Sequence, residues 1–200
     1  MAKSINIKKT ISPFSKILKI SGDKSLSIRW ALTASQANGK SRAYNLLMSE
    51  DILSTLKCLK KLGVKIKIKK KYCEINGLGL NGFKYKKNLI LNAGNSGTLG
   101  RLILGLLVKS PFKIKLIGDK SLSKRDFSRV IIPLKKFGAE FFPKNKSTLP
   151  ILIKGSNTLK PINYYEKKGS AQCKSSIMYA ALNVPGKTII KAKKSRDHTE

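Results

Sequence analysis

A repeat of roughly 72–75 residues runs through this 200-residue chain, and it constrains the architecture more than any other feature. LKKLGVKIKI at 59–68 returns as LKKFGAEFF at 134–142, and SGDKSL at 21–26 returns as AGNSGT at 93–98. GSAQ at 169–172 falls about 75 residues after Gly94, and SRD at 195–197 falls 71 after KRD at 124–126. Self-similarity at one period marks repeated supersecondary units that stack to share a core. The hexapeptide GDKSLS also occurs twice, at 22–27 and 118–123, but this spacing is out of phase with the repeat. The two copies are therefore not equivalent parts of a duplicated unit.

Each unit reads as strand, Gly/Ser-rich turn, helix, strand, loop, helix, strand, strand. In the first, SKILKI is a predicted strand and SLSIRWALTASQAN a helix stopped by Gly39; SRAYNLL follows as a strand. SEDILSTLKCLKKLG predicts a helix with Ser49 as N-cap, acidic residues in its first turn and Gly63 at its end. VKIKIKK and KYCEI alternate apolar and polar, as half-buried strands do. The second unit repeats the order through NLILN, SGTLGRLILGLL, FKIKLI, FSRVIIPLKKFG, AEFF and PILI. The third has a strand before Ser170, the helix AQCKSSIMYAALN and the strand KTIIKA, and the sequence stops at SRDHTE, where its second helix should begin. The expectation is an α/β (α+β) fold of two complete units and part of a third, in a fragment of a longer protein.

The formal net charge of +32 suggests polyanionic partners. Its make-up tempers this, because only six of the 42 basic residues are arginine. Nucleic-acid surfaces favour the bidentate arginine fork, whereas lysine here decorates strands, turns and helix faces alike. With no aromatic stacking platform either, a basic nucleic-acid-binding protein is the alternative reading and not the preferred one. Cys58, Cys73 and Cys173 are widely separated, with His198 the single histidine, so neither a metal site nor a disulfide framework is expected. No signal-peptide core and no run of 18 apolar residues is present in the sequence, and a cytoplasmic protein without a membrane partner is expected.

Three small-residue turns precede the first helix of each unit: GDKSLS, AGNSGT and KGSAQ. A helix N-terminus offers free N–H groups and a favourable dipole to an anion, and glycine lets the ligand approach closely. The repeat gathers all three at one end of the domain. Lys24, Ser25 and Arg29 flank the first; Lys120, Lys124 and Arg125 lie before the second helix of unit two; Arg196 holds the corresponding loop of unit three. Such a cavity suits one or two small phosphorylated carboxylates. Asp23 and Asp119 read as helix caps or loop braces. There is no catalytic triad, carboxylate pair or P-loop in the sequence.

ISGDKSLSIR, NAGNSGTLGRLILGLL, GDKSLSKRDFSRVIIPLKKFGAE, GSAQCKSSIMYAALNVPG and SRDHTE together resemble the 5-enolpyruvylshikimate-3-phosphate synthase family, in order and over nearly the whole chain. The resemblance implies a domain of three βαβαββ units, with residues 1–13 belonging with a second domain and residues 14–200 forming the first, incomplete at its end. It implies transfer of the carboxyvinyl group of phosphoenolpyruvate to the 5-hydroxyl of shikimate 3-phosphate, with no cofactor and a monomer when full length. Lys24 would touch both substrates. Ser25, Arg29, Ser170, Ala171, Gln172 and Arg196 would hold shikimate 3-phosphate; Asn95, Gly97, Arg125 and again Gln172 would meet phosphoenolpyruvate. The acid–base residues of the family lie in the other half, so this chain alone is expected to bind rather than turn over substrate. Ser25 rather than Asn after Lys24 argues against the sister transferase acting on UDP-N-acetylglucosamine. Asp126 stands where proline commonly follows the Lys-Arg pair, and Leu102 where one branch has proline.

Overall fold

The computed structural model describes residues 4, 6, 8–10, 12–18 and 20–193. Its first helix, α1 (Lys24–Gln36), is followed by β1 (Asn38–Tyr44), α2 (Glu50–Lys61), β2 (Lys65–Ile68) and β3 (Tyr72–Leu78). The second unit runs β4 (Ile90–Asn92), α3 (Gly97–Leu106), β5 (Ile114–Ile117), a single-turn helix α4 (Lys120–Ser123), α5 (Ser128–Phe137), β6 (Glu140–Phe142) and β7 (Ile151–Lys154). The third gives β8 (Asn163–Glu166), α6 (Ala171–Ala181) and β9 (Ile189–Ala192). Each unit builds its own sheet, in the orders β1-β3-β2, β4-β5-β7-β6 and β8-β9. The parallel pairs β4–β5 and β8–β9 are each joined through a helix, α3 and α6; the remaining pairs are antiparallel.

Local sequence explains the elements. In α2, Glu50 and Asp51 begin the helix and Lys60 and Lys61 end it, which complements the helix dipole at both ends. Ile52, Leu56 and Leu59 form its buried stripe, and Gly63 takes the left-handed conformation (φ +92°) just beyond its end. GTLGRLILGL has no polar face, and all ten residues of α3 are buried. A helix apolar all round must lie in a core. α3 packs lengthwise on α6, so closely that a Cβ on Gly105 would come within 2.2 Å of the Ser176 carbonyl oxygen.

Three expectations need correction. SKILKI forms no strand among its described residues. Phe14, Ile17, Leu18 and Ile20 are largely exposed, at 67–103 %, so the segment gains no burial to offset its ordering entropy. Gly39 does not stop α1: the helix ends at Gln36, and Gly39 lies inside β1 with φ +96°. Ser49 takes the N-cap position of α2 with extended backbone, but its hydroxyl makes no capping bond.

Candidate anion-binding site

Both copies of GDKSLS fold alike. Asp23 Oδ1 accepts the Leu26 N–H at 2.7 Å to open α1, and Asp119 Oδ1 accepts the Leu122 N–H at 2.6 Å to open α4. The second copy, expected as loop, thus also nucleates a helical turn, because an aspartate three residues before a free amide caps it wherever the chain allows. Ser96 and Ser170 cap α3 and α6 in the same way, through Leu99 and Cys173.

Contacts among these helix starts bring most of the sequence-predicted residues together. Arg29, one turn into α1, donates to the Ser25 carbonyl and to Ser175 Oγ on α6, both at 3.3 Å, while its Nε has no partner. Burial pulls its guanidinium below the ordinary value, against the opposing influence of Tyr179 and Asp23. Lys24 stays half-exposed and pairs with Asp51 at 3.4 Å. Gln172, in the first turn of α6, donates to Thr98 Oγ1 at 3.1 Å in the first turn of α3. Arg125 donates to Asn95 Oδ1 at 3.2 Å, and Asn95 Nδ2 donates to Asp119 Oδ2 at 2.6 Å. The Leu122 amide above all, with Asn95 adding to it, holds the Asp119 carboxyl below the usual carboxylate range despite some desolvation. Gly97 sits where a Cβ would lie 2.8 Å from Arg101 Nη1 and 3.3 Å from Arg125 Nη1. Ser170 and Ala171 are buried at the α6 start. Arg196 lies outside the described residues.

Two participants escaped the sequence. Arg101 is 6 % exposed and donates to Gln172 Oε1 at 3.0 Å, to the Asp126 carbonyl at 3.0 Å and to the Gly97 carbonyl at 3.4 Å. Its signal in the sequence was the arginine that closes TLGR, alone among apolar residues. Glu166, buried at the end of β8, accepts the N–H groups of Ser170 (2.8 Å) and Lys168 (3.1 Å) and so braces the turn before α6. A surface hollow of about 670 Å³ beside β2 and β3, lined by Met48, Ile68 and the lysines at 69–71, contains none of the motif residues. Among the described residues no helix is long and apolar enough to cross a membrane.

The arrangement concentrates backbone N–H groups, hydroxyls, an amide and several guanidinium groups around three helix starts, which is chemistry for binding anions. Comparison with known proteins agrees with the motifs. The family model described as EPSP synthase (3-phosphoshikimate 1-carboxyvinyltransferase) matches residues 8–200. The 3-phosphoshikimate 1-carboxyvinyltransferase of Streptococcus mutans is 43% identical over 198 residues, covering 98% of this chain and 46% of that protein. The one from Vesicomyosocius okutanii is 49% identical over 185 residues, covering 92% of this chain and 42% of that protein. This chain therefore spans less than half the length of those curated relatives. An EPSP synthase structure from Acinetobacter baumannii superposes with a TM-score of 0.84 at 37% identity, over 91% of this chain and 41% of that one. With motifs, repeat, fold and family match in agreement, the chain belongs to the EPSP synthase family.

Proposed function

We propose that this protein takes part in transferring the carboxyvinyl group of phosphoenolpyruvate to the 5-hydroxyl of shikimate 3-phosphate. In that reaction the 5-hydroxyl oxygen gives up its proton and bonds to C2 of phosphoenolpyruvate while C3 gains a proton, and the tetrahedral intermediate then loses a C3 proton and, by C2–O cleavage, phosphate. The described residues supply binding and orientation. Lys24 contacts both substrates. Ser25, Arg29, Ser170, Ala171 and Gln172 hold shikimate 3-phosphate, with Arg196 as a further phosphate contact. Asn95, Gly97, Arg125 and Gln172 face phosphoenolpyruvate. Helix N-termini and cations fixed beforehand neutralise two anionic substrates and hold them in register, which contributes orientation and electrostatic stabilisation. We assign the proton transfers to none of the described residues. The proposal takes small-molecule substrates only, no nucleic acid or membrane partner, a cytoplasmic location and, at full length, a monomer.

The observation that carries this reading is the Gln172–Thr98 bond, which joins the first turns of α6 and α3 at 3.1 Å. Two N-termini then serve one ligand, and Arg29 reaches the same α6 through Ser175. Calorimetric titration of shikimate 3-phosphate into the chain tests it, beside Arg29→Ala. Saturable binding that the substitution weakens is the expected result. A folded chain that takes up no shikimate 3-phosphate, or binds it equally without Arg29, overturns the reading.

A further inference from the structure

Arg101 is an expensive residue to place where it sits. Its guanidinium is almost wholly buried, and Nε has no partner. Its other donors reach a side-chain amide and two carbonyls, with the Phe127 ring 4.8 Å below. Desolvation, then the neighbouring Arg129 and Arg125, push its pKa down to about 10, which still leaves it cationic at neutral pH. Burying a guanidinium without a counter-charge is costly, and these hydrogen bonds are what offset the cost.

We propose that Arg101 is a positioning residue that fixes which end of the Gln172 side-chain amide faces the anion site. A glutamine amide has one accepting oxygen and two N–H donors, and the two ends differ little in shape. A guanidinium can only donate. The end of Gln172 that meets Arg101 Nη1 at 3.0 Å must therefore be Oε1, which turns Nε2 toward Thr98 Oγ1 at 3.1 Å. One Nε2–H is used by Thr98, and among the described residues the other has no partner. Gln172 is partly exposed, so that second N–H is open to a ligand. Without Arg101 the amide can turn over and present its oxygen, which repels an anion. Arg101 thus acts on the ligand through Gln172. It also ties Gly97 of α3 to the Asp126 carbonyl beside Arg125, so the three segments keep one register. The part of this inference that concerns the substrate rests on the function proposed above; the part that concerns the amide does not.

The chain has only two glutamines, Gln36 and Gln172, so its glutamine side-chain amide signals are two pairs, separable with a Gln36→Met variant. In the ¹H–¹⁵N spectrum of the whole chain, Arg101→Met, which has no donor, is expected to move the Gln172 pair to the position of a freely rotating amide and leave the Gln36 pair in place. The same variant should bind shikimate 3-phosphate about tenfold more weakly. An unmoved Gln172 pair in a folded Arg101→Met variant overturns the proposal. If wild-type chain binds no shikimate 3-phosphate yet the pair moves, the proposed function falls and the positioning role stands. Should Arg101→Met fail to fold, Gln172→Glu and Gln172→Met decide. Glutamate keeps an acceptor toward Arg101, so its Tm should equal or exceed wild type while shikimate 3-phosphate binding is lost. A Gln172→Glu Tm as low as that of Gln172→Met would show that Arg101 is not holding an oxygen there.

Discussion

Arg29 and Ser175, 146 residues apart in sequence, meet at 3.3 Å through guanidinium Nη2 and hydroxyl Oγ. The contact ties the first helix of unit one to the first helix of unit three. Tyr179 strengthens the same seam by donating to the Arg29 carbonyl at 3.2 Å. Because Nη1 and Nη2 of Arg29 each carry a second N–H beyond the bonds to Ser25 and Ser175, an arriving phosphate finds a partly desolvated cation with unused donor capacity. Charge-assisted bonds of this kind contribute about 1.5–3 kcal/mol. Arg29→Ala should therefore weaken shikimate 3-phosphate binding by about tenfold or more. Ser175→Ala should cost far less, since it removes a neutral partner and leaves the charge. Calorimetry on both variants checks the ordering; equal losses would mean that Arg29 acts only as a clamp between helices.

Gly97 is held to glycine by two guanidinium groups rather than by backbone. An alanine methyl would sit 2.8 Å from Arg101 Nη1, too close to stay, and 3.3 Å from Arg125 Nη1. Arginine tips usually give way at little cost, but Arg101 is bonded to Gln172 and to the Asp126 and Gly97 carbonyls. The strain should pass to Arg125 and to its Asn95 contact. Gly97→Ala is expected to fold, and to weaken phosphoenolpyruvate binding by about tenfold, ~1.4 kcal/mol, with a smaller effect on shikimate 3-phosphate. Titrating phosphoenolpyruvate into chain saturated with shikimate 3-phosphate measures this, and unchanged affinity would remove Gly97 from the phosphoenolpyruvate face.

Much of this architecture can be read along the chain because its determinants are local. Ser96 before a run that is apolar but for Thr98 and Arg101 predicts both the start of α3 and its burial; Asp23 and Asp119 are legible as caps within one hexapeptide. Gly39 misleads for a physical reason. Positive φ serves a helix end and an irregular strand equally, and only its pairing with Gly77 on β3 decides which. SKILKI has strand composition, but composition cannot supply a paired edge or a covering layer. The site divides along the same line. Arg29, Arg125 and Gln172 stand beside recognisable turns, whereas Glu166 and Arg101 gain their roles from the chain segments they meet. Arg101 reaches Gln172 across 71 positions, and no local pattern encodes that pairing.

Asp119 connects pH to the site. Its carboxylate holds the start of α4 through Leu122 and holds Asn95, which in turn receives Arg125. The folded-state pKa lies below the ordinary 3.8, chiefly because of the Leu122 N–H. A depressed carboxylate contributes stability that is fully present above its ordinary pKa and is lost as pH falls through the folded value. The Asn95–Arg125 arrangement should accordingly persist at neutral and mildly acidic pH and loosen only in stronger acid. Carboxyl ¹³C titration by NMR should put the Asp119 midpoint below 3.8, with the Asn95 side-chain amide signals moving at the same pH. A midpoint at or above that value, or Asn95 signals that ignore it, would break the proposed connection. Asp119→Asn should abolish the coupled movement.

Gly105 tests how far the site depends on helix spacing. A Cβ there would fall 2.2 Å from the Ser176 carbonyl oxygen and 3.2 Å from its Cα. Both are backbone atoms of α6, so no rotamer change relieves the clash and the two helices must move apart. Overpacking of this kind costs about 1–3 kcal/mol. Gly105→Ala should lower the urea midpoint accordingly with little change in the slope of the transition. Because α3 and α6 also carry Thr98 and Gln172, the separation should stretch their 3.1 Å bond as well as loosen the core. Shikimate 3-phosphate affinity should then fall even at temperatures where the variant is fully folded. A variant that loses stability but keeps its affinity would mean that the helix starts hold their spacing independently of the packing beneath them.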